Sequence, residues 1–408
     1  MKALAVAITG AARAALAIGA ARAAEPADAE VAALHARMLT LDQHLDLPAG
    51  FATEKADPGA DGKGQIDLPK MERGGLDAAV FTLFAWQQAR TPEEDAKAIA
   101  TGQEKLAALR RMAEWYPSRI AIAHSADELE SIVASGRKAA VIGMLNATQL
   151  GREAERLEEY YAAGVRQLGF VHASHNYYAD SSRPLAKNGD GPTLWGGLSP
   201  LGRRLVPRLN DLGIIIDVSQ LSTAALEQVV ALTRAPVVAS HSAVRAIDDN
   251  PRNLTDAEIR AIAAGGGVVG VVAFSTYLLP PPPAHAAEVA RLREKYGAAD
   301  EAALAKLPAE RLAAYNAEYF ALVRALPKAG VRHLVDAIDY VVKLAGVEHV
   351  GISTDFEHAG GVDGYRNAGE AANVTRELLR RGYPEADIAR IWSGNWLRVF
   401  RAVERQRR

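Results

Sequence analysis

The chain has 408 residues, of which 49% are hydrophobic and 24% are charged, with a net charge of −2 and no cysteine. Such a composition is typical of a globular protein with a sizeable core, and the near-zero charge argues against a binding surface for nucleic acid or an anionic membrane. The lack of cysteine excludes disulfides, thiolate metal ligands and cysteine nucleophiles.

The first 24 residues are Ala-rich and resemble a secretory signal. Lys2 precedes an apolar stretch that Arg13 interrupts, and small residues place the cleavage site near Ala23 or Ala24. We therefore expect an exported protein, periplasmic or extracellular, whose mature chain spans 25–408. A poorly ordered Ala-rich terminus is the alternative. No later segment is long and apolar enough to cross a membrane.

Apolar runs of the kind that form strands alternate with helical stretches along the rest of the chain. They are near-continuous, as expected for parallel strands that are buried on both faces. The predicted strands are Met38–Leu41, Ala79–Phe84, Ala139–Leu145, Gln167–Val171, Ile214–Val218, Val237–Ser240, Val268–Phe274 and Val350–Thr354.

The intervening helices have recognisable ends. Thr91–Glu94 offers an N-cap followed by a proline and acidic residues, Thr255–Glu258 is a capping box, and Gly265–Gly267 ends the helix that follows. Eight strands with helices between them predict a single (β/α)8 TIM barrel with a helical insertion at about 280–329. A doubly wound open sheet is the alternative, but no G-x-G-x-x-G follows an early strand.

His44-Leu45-Asp46 lies at the end of the first predicted strand. Residues i and i+2 of a strand point to the same side, so the imidazole and the carboxylate converge. Such a pair is suited to a divalent ion such as Zn²⁺, although a capping Asp beside a satisfied His gives the same short pattern.

Further polar residues follow the later strands. In a barrel, the carboxyl ends of the strands form the active site, so these side chains are expected to meet His44 and Asp46. Histidines and carboxylates at several strand ends together favour a metal site. The residues at the later strand ends are Asn146, His172, His175, Gln220, His241 and Asp355.

At these residues the chain resembles the membrane dipeptidase (renal dipeptidase) family, peptidase family M19, within the metal-dependent amidohydrolase superfamily. The resemblance runs in order from about Leu41 to Phe400 and implies a TIM-barrel metallohydrolase that cleaves dipeptides. The segments that carry it are LDQHLDLP, QIDLPKMERGGLDAAVFTLFA, GVRQLGFVHASHNYYADSS, GLSPLGRRLVPRLNDLGIIIDVSQLS, APVVASHSAVRAIDDNPRNL, EHVGISTDF and IWSGNWLRVF.

The resemblance also implies a set of metal ligands, which are His44, Asp46, Asp355 and His241. The family's bridging Glu is replaced by Leu145, and the His of its fifth strand is replaced by Gln220. A second ion would therefore keep only His241, whereas the first keeps three ligands and an open position. One tightly bound Zn²⁺ is expected.

The resemblance also implies roles in catalysis for several residues. Asp355 would orient the attacking water or take its proton, and His241 would act as an acid/base or as electrostatic support. His172 would polarise the scissile carbonyl, Arg252 would hold the substrate carboxylate, and Asn146 would hydrogen-bond substrate or water.

Other residues and functions remain open at this point. His175 could partly replace a missing ligand and Tyr277 could contact substrate, whereas His358 is interpreted as structural or solvated. The expected ligand is a small dipeptide and the candidate assembly is a homodimer. The alternatives are a hydrolase of another small amide or lactam, and a catalytically silent barrel that binds peptides or a partner protein.

Overall fold

The computed structural model describes residues 25–48, 50–153 and 155–408, apart from the side chains of residues 301 and 302. The predicted signal, 1–24, lies outside the described residues. The strands are β1 (Leu41–Asp46), β2 (Ala78–Phe84), β3 (Ile120–Ile122), β4 (Lys138–Leu145), β5 (Val165–Gly169), β6 (Ile215–Asp217), β7 (Val238–Ser242), β8 (Val268–Val272) and β9 (Val350–Ser353).

Helices follow most strands, and a π-helical turn, Arg390–Gly394, leads into the last one. The helices are α1 (Asp28–Arg37), α2 (Leu68–Gly74), α3 (Pro92–Trp115), α4 (Ala126–Ala134), α5 (Arg156–Ala162), α6 (Pro200–Leu212), α7 (Thr223–Leu232), α8 (Asp256–Ala264), α9 (Ser275–Leu278), α10 (Pro283–Tyr296), α11 (Glu301–Ala305), α12 (Ala309–Arg324), α13 (Val331–Ala345), α14 (Ala372–Arg380), α15 (Glu385–Ala389) and α16 (Asn395–Glu404).

The sheet is a parallel barrel with the strand order β1-β2-β4-β5-β6-β7-β8-β9. It closes where the backbone N–H of Asp355 donates to the His44 carbonyl and that of Asp46 donates to the Phe356 carbonyl, both at 3.0 Å. The short β3 pairs with the start of β4, outside this order. The predicted (β/α)8 barrel is confirmed, and the open doubly wound sheet is wrong.

Local predictions differ in their outcome. The Thr91 side chain accepts a hydrogen bond from the Glu94 N–H, and Thr255 and Glu258 form the predicted capping box. The predicted first strand, Met38–Leu41, is wrong because β1 begins only at Leu41. Its residues after Leu41 are largely polar although all of them are buried, so hydrophobicity does not mark the strand. The three-residue β3 was not predicted.

The lower half of the barrel interior is apolar and is closed by the last helix. Alternate residues of the strands point inwards there, as the period of two requires. Trp396 and Phe400 of α16 pack against this layer, and the Trp396 indole N–H donates to the Gln167 side chain at 3.1 Å. The layer consists of Leu41, Ala78, Val80, Ala139, Val141, Ile215, Val238 and Val268.

Helices α10, α11 and α12 lie between β8 and β9, within the stretch where the sequence predicts an insertion. They share a small apolar cluster of their own that includes Leu292, Tyr296, Leu304 and Tyr315. Across the part of the chain that the structure describes, no helix has the length and apolar character needed to span a bilayer.

Trp396→Ala should destabilise the fold, because it empties the base of the barrel and leaves the Gln167 amide oxygen without its donor. Loss of a buried Trp side chain costs about 3–5 kcal/mol. Thermal and chemical unfolding measure the effect, with Trp115→Ala as the control because that side chain is 45% exposed. Equal melting temperatures for the two variants would contradict this account of the barrel base.

Candidate metal centre

Three predicted ligands meet at the seam where the barrel closes. His44 and Asp46 come from β1, and Asp355 lies two residues after the end of β9. The His44 Nε2 atom lies 3.4 Å from Asp46 Oδ1 and 3.7 Å from Asp355 Oδ1. All three side chains are buried, and their ligand atoms form one compact group.

Two of these ligand atoms have no hydrogen-bond partner among the described residues. They are His44 Nε2 and Asp46 Oδ1, which are both buried. A buried polar atom without a partner is costly unless something else satisfies it. Ligand atoms of a tetrahedral zinc site, with bonds of about 2.0–2.2 Å, lie about 3.3–3.6 Å apart. The spacing and the unsatisfied atoms therefore fit a divalent ion.

The other atoms of this group are held in place by neighbours. His44 Nδ1 lies 3.4 Å from the Thr82 hydroxyl and 3.3 Å from the Ser240 hydroxyl, which favours a proton on Nδ1 and a lone pair on Nε2. His358 Nδ1 lies 2.7 Å from Asp46 Oδ2. The sequence interpretation of His358 as structural or solvated did not predict this contact. The position of His358, three residues after Asp355, is the sequence feature that could have indicated it.

The two carboxylates have different electrostatic surroundings. Burial raises the pKa of Asp46, but the hydrogen bond with His358 and the charge of the nearby His44 outweigh burial and lower it below the usual value. Burial raises the pKa of Asp355, and His44 and His358 oppose that shift only in part. Burial also works against a charged His44, but the nearby carboxylates raise its pKa overall.

The residues at the positions that would bind the family's second ion are not arranged to hold a metal. Leu145 continues the inward-facing alternation of β4, and its side chain lies over Gly169 beside Asp217. Gln220 Nε2 lies 3.0 Å from His241 Nε2, the imidazole atom that a second ion would need. Asp217 lies close to His44 and His241, but it accepts hydrogen bonds from the backbone and side chain of Ser240.

On the substrate side, His172 and Arg252 keep free hydrogen-bonding atoms. Within the described part of the chain, His172 Nδ1 is buried without a partner, and so are Nε and Nη1 of Arg252, whose Nη2 donates to the His241 carbonyl at 2.7 Å. Burial lowers the pKa of His172 well below its usual value, and Arg183 adds to the shift. The Arg252 guanidinium lies 5.2 Å from the centre of the Tyr277 ring. A neutral imidazole and a cation with free donors thus face the site.

Asn146 and His175 are placed differently from what the sequence suggests. The Asn146 amide donates to the Ala85 carbonyl at 3.0 Å and accepts from Asn176 at 2.9 Å. His175 Nδ1 accepts from the Ser181 N–H, and its Nε2 lies 3.0 Å from the Gly191 carbonyl. Both side chains are fully buried and engaged, so they hold the loops of the site and have little left to offer a ligand.

Unusual backbone conformations accompany the site. Asn146, Gln220 and Asp355 have φ angles of 77°, 71° and 55°, in the left-handed region that residues other than glycine rarely adopt. Each follows a barrel strand. Such strain costs about 1–3 kcal/mol per residue and concentrates at functional sites, where it aims side chains into a cleft.

Two cavities open at this end of the barrel. One, of about 600 Å³, reaches Asp46 and His358 and is lined by Phe84, Trp86 and Lys105. The other, of about 700 Å³, lies under the helical insertion, and Arg183 and Tyr277 contribute to its wall. A ligand can therefore approach the candidate metal centre from solvent.

Known proteins resemble this chain over most of its length. A model of the membrane dipeptidase family, peptidase family M19, matches residues 28–408. The chain is 28% identical to dipeptidase aclJ of Aspergillus oryzae over 347 residues, which are 84% of this chain and 70% of that protein. It is also 28% identical to dipeptidase 3 of Rattus norvegicus, over 85% of this chain and 60% of that one.

Solved structures give the same result. The probable dipeptidase PvdM from Pseudomonas aeruginosa superposes with a TM-score of 0.89 at 42% identity, over 92% of this chain and 98% of that one. A metallo peptidase from Rhodobacter sphaeroides, liganded with a phosphinate mimic of the dipeptide L-Ala-D-Ala, superposes with a TM-score of 0.70. Its identity is 22%, over 90% of this chain and 99% of that one, and this likeness shows the fold alone.

His358→Ala should weaken metal binding, because Asp46 loses the donor that fixes its second oxygen. Removing such an outer partner of a ligand costs about 10–100-fold in metal affinity. Competition with a chromophoric chelator measures the affinity, and His124→Ala, an exposed histidine after β3, is the control. Unchanged affinity in His358→Ala would show that Asp46 is oriented without it.

Proposed function

Because the chain belongs to the membrane dipeptidase family of metal-dependent hydrolases, we propose that it hydrolyses the peptide bond of dipeptides with one tightly bound Zn²⁺. The observation that carries this proposal is the pair of unsatisfied ligand atoms, His44 Nε2 and Asp46 Oδ1, at 3.4 Å from each other. A structural role alone gives no reason to keep two such atoms buried without partners.

His44, Asp46 and Asp355 would hold the ion. When bound, a zinc ion acts as a Lewis acid and lowers the pKa of a coordinated water to about 7. Three protein ligands leave one position open, which is the arrangement of catalytic zinc sites. Leu145 offers no ligand atom to a second ion, and the amide of Gln220 is a poor one.

Asp355 is the proposed proton acceptor. Its carboxylate faces the site, and no described side chain donates a hydrogen bond to it, so an oxygen is free to take a proton from the attacking water. The same carboxyl group would then return the proton to the leaving amine. Asp46 is less suited to this role because its second oxygen is engaged by His358.

Arg252 and His172 would position the dipeptide. The free Nε and Nη1 donors of Arg252 match the two oxygens of a terminal carboxylate, which a guanidinium binds in a bidentate manner. His172, held neutral by its surroundings, would donate a hydrogen bond to the scissile carbonyl oxygen, where negative charge develops. His241 would support the site electrostatically, and Asn146 would hold the loop after β4.

The wider setting is part of the same proposal. The chain would be exported by its first 24 residues and would act in the periplasm or outside the cell as one barrel domain, with the insertion at about 280–329 beside the site. A homodimer is the proposed assembly. Hydrolysis of another small amide or lactam is the alternative for the same machinery.

The purified chain, reconstituted with Zn²⁺, should hold about one ion and release free amino acids from dipeptides. Asp355→Asn should lower kcat by about 10²–10⁴-fold, because the amide cannot accept the proton. Elemental analysis counts the ion, amine release measures turnover, and circular dichroism confirms the fold of the variant.

Full activity of Asp355→Asn would refute its role as proton acceptor. Absence of both bound metal and turnover after reconstitution with Zn²⁺, Mn²⁺ or Co²⁺ would contradict the proposed function. That second outcome would favour a silent barrel that binds peptides or a partner protein.

Arg252→Gln should raise KM for dipeptides by about 10–100-fold with a smaller effect on kcat, since it removes charged hydrogen bonds worth about 1.5–3 kcal/mol. A dipeptide whose carboxylate is amidated should be a poor substrate that the substitution hardly affects. Steady-state kinetics on both substrates measure this, with Arg260→Gln on the surface of α8 as the control. An equal loss on both substrates would place Arg252 outside carboxylate recognition.

A further inference from the structure

Arg183 brings a positive charge next to Gln220, one of the two residues that stand where the family has ligands of a second ion. It lies on the loop between β5 and α6, and its Nη2 donates to the Gln220 Oε1 at 2.6 Å. Its Nε is buried and has no hydrogen-bond partner in the part of the chain that the structure describes. A guanidinium keeps its charge and has donors only.

The backbone holds this arginine firmly against Gln220. The Ser182 N–H donates to the Gln220 carbonyl at 2.8 Å, and the Arg183 carbonyl accepts from the Ser174 N–H at 2.7 Å. The buried carboxylate of Asp190 accepts hydrogen bonds from Ser174, from the His175 N–H and from the Leu185 N–H, which fixes the loop on both sides of Arg183. The contact between Arg183 and Gln220 is therefore held by a loop whose conformation is fixed by hydrogen bonds.

Arg183 also fixes the direction of a chain of hydrogen bonds. Because the guanidinium only donates, the oxygen of the Gln220 amide must face it, and the amide NH₂ must face His241 Nε2 at 3.0 Å. His241 Nδ1 then carries the proton and donates to the Ser240 hydroxyl at 2.8 Å, which donates to Asp217. The lone pair of His241 that a second ion would require is occupied by the Gln220 amide.

The balance of charges also indicates that Arg183 takes the place of a second ion. A divalent cation together with one bridging carboxylate has one net positive charge, and so has a guanidinium. Replacing the bridging Glu by Leu145 and the second ion by Arg183 therefore leaves the net charge of this half of the site unchanged. Leu145 also suits the change, since a buried carboxylate without an ion would be unpaired.

We propose that Arg183 replaces the second metal ion as a fixed cation, that its charge excludes that ion from the site, and that its contact with Gln220 orients His241. Its free Nε leaves one donor for a substrate oxygen. Arg183 is in this sense a positioning residue for Gln220 and His241. The inference uses the ligand assignment of the proposed function but does not depend on turnover.

The test counts cobalt ions, by elemental analysis after Co²⁺ loading, in chains whose missing ligands are restored. The double variant Leu145→Glu/Gln220→His should still bind about one ion per chain while Arg183 is present. Adding Arg183→Met should raise the content by about one ion, whereas adding Arg183→Lys, which keeps a cation, should not. Arg203→Met, an exposed position on α6, is the matched control for the methionine substitution.

Two results would overturn the proposal: a second ion in the double variant with Arg183 intact, or no gain when Arg183 is replaced by Met. The comparison rests on the gain of an ion between variants, so it can be read even if the wild-type chain binds no metal or cleaves no dipeptide. Failure of the proposed function is thereby kept apart from failure of this inference.

A second experiment tests the same proposal with single substitutions, by observing the Gln220 side-chain amide directly. In the metal-free wild-type chain, NMR should show the Gln220 side-chain amide protons shifted downfield and protected from solvent exchange, with Gln220→Ala identifying the signals. Arg183→Met should abolish the protection, because the amide is free to turn, and Arg183→Lys should retain it. Protection that is equal in wild type and Arg183→Met would refute the role of Arg183.

Discussion

The closure of the barrel between β1 and β9 is the interaction on which the rest of the structure depends. Two backbone hydrogen bonds join His44 and Asp46 to Asp355 and Phe356, and the same residues supply the three candidate ligands. Asp42 strengthens this seam because its carboxylate accepts hydrogen bonds from the backbone and hydroxyl of Thr354. Completing the fold and assembling the metal centre are thus one event, so loss of the seam would remove both.

This arrangement places buried charges where an apolar interior would be more stable. Burying carboxylates costs several kcal/mol per ion unless partners compensate. The lower barrel, closed by Trp396 and Phe400, provides ordinary apolar packing, and the upper barrel provides hydroxyls and histidines instead. Thr82 and Ser240 satisfy one nitrogen of His44, while its other nitrogen stays free. Because the apolar lower barrel stabilises the fold, the chain tolerates unpaired polar atoms in the upper barrel.

The sequence predicts the barrel well and the site only in part, for physical reasons. Near-continuous apolar strands and helix caps such as Thr91 are local signals, and they reveal the eight-strand order. The register of β1 cannot be inferred from local hydrophobicity, because its inward side chains after Leu41, His44 among them, are polar. His358 and Arg183 could not be assigned for a different reason. Each acts through a partner that is distant in sequence, Asp46 and Gln220, and loop conformation alone decides whether they meet.

The changes at Leu145, Gln220 and Arg183 are best understood as one coupled substitution. A Glu at 145 without a second ion would be a buried, unpaired charge. A glutamine at 220 can accept from Arg183 and donate to His241 at the same time, which a neutral histidine could do only by presenting opposite ring nitrogens to its two neighbours. With these three residues together, the Gln220 amide and both ring nitrogens of His241 find partners. The positive charge there is then built into the chain and does not vary with metal supply, whereas the proposed site at the barrel seam would still require an ion.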